Sequence, residues 1–282
     1  MSRDIKYDEI RDAVQTLAAI AAYNLPQDVI IGLHKALACE TAEAAKEALR
    51  GILKNAEIAA RGEYPLCQDT GTAVVFVQIG QEVRIKGGLL ADAITDGVRR
   101  AYKVSYLRKS MVAFPYSSRL NTKDNTPVII HTELVGGDKI NLRFMAKGGG
   151  SENNTRLIML NPSDGREGII KSVSQTVRQA GGSPCPPLVI GIGIGGNAES
   201  AIIMSKKALL RPVGEQATNL EDAALEKDIL HEVNQTKVGP LGFGGETSAM
   251  AVHILSSPCH MASLPLGISL GCHSARHAEV VL

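Results

Sequence analysis

The chain has 282 residues, 44% hydrophobic and 21% charged, with 30 basic against 29 acidic side chains and a formal net charge of +1. That balance is the one globular proteins show and excludes disordered and fibrous classes. There is no dense Lys/Arg tract, so neither nucleic acid nor an acidic membrane surface is an expected partner. No apolar run is expected to span a bilayer and the opening MSRDIKYDEIRD is too charged for a secretory leader, so a cytoplasmic protein without a membrane segment is expected. Six Tyr, four Phe and no Trp leave the core to aliphatic side chains, while 28 Gly promise close backbone approaches.

Residues 1–62 read as helical. Ile10, Ala13, Val14, Leu17 and Ile20 fall on one helical face, and alanine-rich helical spacing resumes in TAEAAKEALRGILKNAEIAARG until Gly62 and Pro65 stop it. The period then shortens to that of a strand in TAVVFVQIG and lengthens again in LLADAITDGVRRAYKVSYL. TPVIIHTELV and INLRFMAK, joined by GGDK, read as a β-hairpin, and the glycine loop KGGGSENNT follows. A helix over 165–180, the strand PLVIGI, and helices over NAESAIIMSKKALL and NLEDAALEKDILHEV come next. The end of the chain reads as short buried strands separated by Pro and Gly. Strand and helix alternate without a clear hinge, so the expected fold is α/β, a mixed sheet with packed helices. One domain is expected over 1–282, its helical N-terminal part being 1–62 and its α/β part 63–282.

Five cysteines stand at 39, 67, 185, 259 and 272, an odd and widely spaced set that argues against a disulfide framework. Cys67 opens Cys-Gln-Asp-Thr-Gly on a loop between a helix stop and a strand, where Asp69 could either carry chemistry or simply bond neighbouring amides. Cys185 lies in SPCPP, whose prolines fix the backbone around the sulfur. Cys272 lies in GCHSARH, where His273, Arg276 and His277 would favour a thiolate. The spacing is unlike the paired CxxC of a zinc ribbon. Three single thiols on Gly- or Pro-conditioned loops could instead converge, one ligand short of closing a cubane iron–sulfur cluster. Structural burial is the competing reading for each, and for Cys39, inside a helix, it is preferred.

KGGGSEN offers consecutive amides to a carboxylate or phosphate, or merely a glycine-rich exit from the preceding strand. GIGIGG (191–196) formally fits a dinucleotide fingerprint, but no acidic strand end follows about twenty residues later, and close helix–strand packing is the preferred reading. Arg108 could clamp a carboxylate or only face solvent near a helix end. His260, twelve residues before Cys272, could work in a site or sit as an ordinary structural histidine.

Taken together, CQDTG (67–71), LRKS (107–110), KGGGSEN (147–153), CPP (185–187), GIGIGGNAE (191–199), ATNLEDAAL (217–225) and HMASLPLGISLGC (260–272) resemble the class I, iron–sulfur-dependent fumarase and tartrate dehydratase family over nearly the whole chain. The resemblance implies a [4Fe–4S] cluster held by Cys67, Cys185 and Cys272, with one iron open to substrate. It implies substrate contacts from Gln68, Asp69, Arg108, Gly149 and, by proximity, Asn153, with Asp69 and His260 as the catalytic groups. The implied reaction is reversible dehydration of a small 2-hydroxy dicarboxylate, malate to fumarate first and tartrate to oxaloacetate second. Single-chain relatives continue into a second module, whereas this sequence stops at Leu282, so the resemblance is to the α subunit of the two-subunit form. A β subunit and a hetero-oligomer with dimerised α subunits are implied. The alternatives are a nucleotide-dependent enzyme using GIGIGG and a non-catalytic metal-binding assembly subunit.

Overall fold

The computed structural model describes residues 2–282. In chain order its elements are β1 (Arg3–Lys6), α1 (Tyr7–Tyr23), α2 (Gln27–Cys39), α3 (Glu43–Ala60), β2 (Thr72–Gly80), β3 (Val83–Lys86), α4 (Leu90–Val104), β4 (Ile129–Val135) and β5 (Ile140–Lys147). There follow α5 (Gly149–Glu152), β6 (Arg156–Leu160), α6 (Gly165–Ala180), β7 (Leu188–Gly196), α7 (Ala198–Ala208), α8 (Leu220–Asn234), β8 (Ala249–Cys259), β9 (Leu264–Gly271) and β10 (His277–Val281). The fold is mixed α/β. Its residues form two compact units, the first comprising the chain up to Leu25, Ile58–Gly149 and Arg276–Leu282, the second Pro26–Glu57 and Gly150–Ala275. The helices of the first 62 residues are shared between them.

In the first unit, the sheet order is β10-β5-β2-β4, with β2 parallel to β4 and antiparallel to β5, and β5 antiparallel to β10. β1 and β3 pair in parallel as a separate ribbon. β2 is buried over most of its length, from Ala73 to Val77, because it is a central strand; its apolar run suits burial on both faces. Helices α1 and α4 pack together and contribute Ile10, Val14, Leu17, Ile94, Val98 and Tyr102 to a core completed by Val75, Val77, Leu142 and Phe144 of the sheet. A Cβ on Gly97 would lie 2.6 Å from the Arg11 carbonyl oxygen, so only glycine lets the two helices come this close.

The second unit has the sheet order β6-β9-β7-β8, with β7 parallel to β8 and antiparallel to β9, and β9 antiparallel to β6. Its core joins Ile169, Val173 and Val177 of α6 and Ile229 and Val233 of α8 to Ile190, Ile192, Ile254, Ile268 and Leu270 of the strands. α7 lies directly on the glycines of β7 and β9, since a Cβ at Gly191, Gly193 or Gly267 would collide with the carbonyl oxygens of Ser205 or Ala201.

Four expectations change. The chain opens on a strand, β1, before the first helix. Along α1 the buried stripe is Ile10, Val14, Leu17, Ala18, Ala21 and Ala22, while Ile20 is 43% exposed. β4 and β5 do not form a hairpin: each pairs with β2, on opposite sides, and the GGDK link crosses the end of β2, where Gln81 N–H bonds the Val135 carbonyl (2.8 Å) and Glu82 N–H that of Gly137 (3.0 Å). Finally, Tyr7–Cys39 is long and apolar enough by length and composition to cross a membrane, yet it is two helices of 17 and 13 residues, broken ahead of Pro26 as the restriction on a residue preceding proline requires.

Glycine at these contacts and glycine in the open should respond oppositely to a methyl group. Gly191→Ala should destabilise by about 1–3 kcal/mol or more through overpacking of α7. Gly51→Ala, on an open face of α3 with nothing within 4 Å, should stabilise by about 0.5–1 kcal/mol. Urea midpoints of the two variants against the parent chain measure both.

Candidate active site

The first unit gathers Cys67, Gln68, Asp69, Arg108 and Gly149 around the loop that enters β2. The Asp69 carboxylate is held at both oxygens, Oδ1 accepting from Gly71 N–H (3.0 Å) and Oδ2 from Gly149 N–H (2.6 Å). The turn-stabilising bond and the bond to the glycine loop are therefore both present, and each oxygen keeps a lone pair. The Cys67 thiol lies 3.6 Å from Gln68 Oε1, and Gln68 itself is exposed. Thr70 Oγ1 donates to the Arg108 carbonyl, which places the exposed Arg108 beside the same loop.

Three residues that the sequence did not single out for this role fix the loop. Tyr102, 1% exposed, donates from its hydroxyl to the Thr70 carbonyl (2.6 Å). Asn125, fully buried, donates from Nδ2 to the Gly71 carbonyl (3.1 Å) and accepts Ser110 N–H at Oδ1 (2.7 Å). Arg276, 5% exposed, donates from Nη1 to the Asp69 carbonyl, and its own carbonyl accepts Ala146 N–H (2.9 Å). Tyr102 and Asn125 carry no motif; Arg276 was visible only as a cation four residues after Cys272.

In the second unit, the Cys185 and Cys272 segments are joined. The Cys185 carbonyl accepts His273 N–H (3.2 Å) and lies 2.9 Å from His273 Nδ1. Cys185 is exposed with φ of +56°, and the Cys272 sulfur lies 3.3 Å from Ser274 Oγ. His260 is exposed in the β8–β9 turn; its Nδ1 accepts Ala262 N–H (3.2 Å), so a neutral ring carries its proton on Nε2. Asn153 is exposed and its carbonyl accepts from Arg156 Nη1 (3.2 Å). Cys39 ends α2 exposed, lining a cavity of about 260 Å³ with Asp28, Lys35 and Met250, so the expected packing role does not hold. Cys259 is exposed, its thiol bonded to the Ser263 carbonyl (3.2 Å). GIGIGG is strand, not loop, and its first two glycines are occupied by α7.

The donor set suits an iron–sulfur cluster, which thiolates hold. Cys67, Cys185 and Cys272 are all free of disulfides and at least partly exposed. Among the described residues, no three His, Cys, Asp or Glu side chains form a metal-binding group within either unit. Cys67 belongs to the first unit, Cys185 and Cys272 to the second.

A family model described as fumarate hydratase (Fumerase) matches residues 11–281. The chain is 41% identical over 275 residues to a Methanocaldococcus jannaschii protein named "Putative L(+)-tartrate dehydratase subunit alpha", covering 96% of each. It is 28% identical over 277 residues to the L(+)-tartrate dehydratase subunit alpha of Escherichia coli strain K12, covering 98% of this chain and 91% of that one.

Tyr102 offers a direct measure of how firmly the loop is held. Burial, only partly offset by the nearby Arg276 charge and the bond to Thr70, pushes its phenol up to about 12 from 10.0. The folded state thus favours the neutral phenol: its full stability is present below about pH 10, where the unfolded phenol is still protonated, and falls as pH rises toward 12. Tyr102→Phe should cost about 1–3 kcal/mol at neutral pH by leaving the Thr70 carbonyl without its donor, and should flatten the fall in stability above pH 10. Denaturation followed from pH 7 to 11.5 checks both.

Proposed function

The chain belongs to the fumarate hydratase family, in its class I hydro-lyase α-subunit branch, and on that premise we propose that it is the cluster-bearing α subunit of a cytoplasmic iron–sulfur hydro-lyase. The reaction is reversible removal of water from a small 2-hydroxy dicarboxylate. L-Malate and L-tartrate are the proposed substrates, and the relatives' names support testing L-tartrate first. The observation that carries the reading is the Asp69 carboxylate, fixed at both oxygens two residues from Cys67.

Cys67, Cys185 and Cys272 are the proposed thiolate ligands of a [4Fe–4S] cluster. When bound, the cluster supplies a Lewis-acidic iron for a hydroxyl and a carboxylate of the substrate. The remaining work falls to the polypeptide. Dehydration needs a proton removed from carbon and another delivered to the departing hydroxide. Asp69 is the proposed partner in proton exchange: the Gly71 and Gly149 amides orient its carboxylate, and the unused lone pairs are available to a proton. His260 bears its ring proton on Nε2 and is the second proposed proton carrier. Arg108, whose guanidinium is exposed, supplies the fixed positive charge that a dicarboxylate requires, in a geometry suited to two parallel hydrogen bonds. Gln68 is an exposed amide beside Cys67 and serves orientation, and Gly149 brings its backbone up to the carboxylate without a side chain. Asn153, exposed four residues beyond Gly149, is a further proposed contact.

A separate β subunit is proposed to complete the site. Anaerobic reconstitution of the chain with iron, sulfide and the candidate β subunit from the same genome should give a brown complex that turns over L-tartrate or L-malate. Cys185→Ser should lose iron, sulfide and activity together. Asp69→Asn should keep the metal content while turnover falls by roughly 10²–10⁴-fold. A fully loaded complex without turnover of either diacid overturns the enzymatic reading in favour of an assembly role.

A further inference from the structure

We propose that the hairpin over residues 111–122, in the first unit, is the docking surface for the β subunit; the inference rests on the two-subunit reading above. Val112 and Asn121 form an antiparallel bridge, Ala113 N–H bonds the Leu120 carbonyl (2.7 Å), and Thr122 N–H bonds that of Met111 (3.0 Å). At the tip, Ser117 and Arg119 N–H both bond the Phe114 carbonyl at 3.1 Å. This is a built structure. Its tip nevertheless presents Phe114 at 60% exposure, Tyr116 at 95% and Leu120 at 60%, with Tyr106 at 91% just before it. A chain with only four Phe and six Tyr thus places three of them in solvent within eleven residues.

Ordinary surface loops do not combine these features. Tyr106, Phe114, Arg119, Lys123 and Asn125 all have φ between 49° and 65°, a left-handed backbone that residues other than glycine adopt at a cost. The shape is retained because the base is pinned: Asn121 Nδ2 donates to the Lys109 carbonyl (2.8 Å) and Ser110 N–H to Asn125 Oδ1 (2.7 Å). Rigid exposed aromatics beside arginine are the composition of interface centres.

Two observations identify the occupant. First, the base of the hairpin is continuous with the site: Thr70 Oγ1 donates to the Arg108 carbonyl, and Thr72 Oγ1 lies 3.5 Å from Met111 Sδ. A subunit that adds substrate-binding residues beside Asp69 and Arg108 must come against this segment. Second, residues 106–123 carry Arg108, Lys109, Arg119 and Lys123 and no acidic residue. A second copy would set these four cations against themselves if it docked hairpin to hairpin, so the fitting partner is a different chain with an apolar cleft and an acidic rim.

The test uses Phe114→Ser/Tyr116→Ser in the full cluster-loaded chain, with sedimentation and turnover measured as the candidate β subunit is titrated anaerobically. The double variant should melt as the parent does, bind β roughly tenfold to thirtyfold more weakly, and recover parental kcat at saturating β. Hydrogen exchange of residues 113–120 should slow when β is added, and association should weaken with salt. Parental turnover with β together with unchanged affinity of the variant overturns this inference and leaves the enzymatic reading standing. Loss of self-association of the chain, with binding to β unaltered, assigns the hairpin to a second copy and overturns it likewise. If the parent chain neither binds β nor turns over, the two-subunit reading itself fails and takes this inference with it.

Discussion

The Cys67–Gly71 loop is polar and partly open to solvent, yet little of its backbone is free to move. The carbonyls of Asp69, Thr70 and Gly71 are each taken by a buried side chain, Arg276, Tyr102 and Asn125 in turn. The Asp69 carboxylate closes the arrangement by accepting two backbone N–H groups. A carboxylate on such a loop would otherwise sample several rotamers. Fixing the peptide planes first, and the side chain through them, is how a short surface loop becomes a defined chemical group.

That fixation depends on the packed layer beneath it. Tyr102 lies on the inner face of α4 and is held at its ring by the aliphatic core that α1 and α4 share with the sheet. Its hydroxyl is the polar end of an otherwise apolar residue, and burial keeps it protonated and donating. Arg276 enters β10, whose pairing with β5 sets its register; the Ala146 N–H bond to its carbonyl belongs to the same ladder. The loop's geometry is therefore set by a helix face and a sheet edge, both rigid compared with the loop.

The two units reach the same strand arrangement by different sequences. In each four-stranded sheet, a buried inner strand has a parallel neighbour reached through helical crossover and an antiparallel neighbour on its other side, with a fourth strand antiparallel beyond, last in chain order in the first sheet and first in the second. β2 is filled by Val and Phe, whereas β7 alternates glycine with isoleucine so that α7 can rest on its backbone. The same pairing pattern, threaded in a different strand order, thus tolerates opposite solutions to helix–sheet packing, one by large side chains and one by their removal. No repeat is visible in the residues because what recurs is backbone pairing.

Composition and period were enough to give the α/β class, the positions of α4, α6, α7, α8, β2 and β7, and the identity of CQDTG and GCHSARH as loops rich in reactive groups. These are local properties: a helical or strand-like spacing, a glycine stop, a thiol beside a carboxylate. The pairing of β4 with β2 instead of β5 was not local, since a Gly-Gly link joins neighbours in sequence equally well whether they become a hairpin or straddle a third strand. Nor were the residues that hold the Asp69 loop. Arg276 and Asp69 are separated by 207 positions, and Tyr102 and Thr70 by 32. A buried tyrosine in a helical stripe looks like any other apolar residue until the carbonyl its hydroxyl meets is known. The residue types capable of the chemistry could be read along the chain, but which of them are held still was decided by contacts that exist only after the sheet has closed.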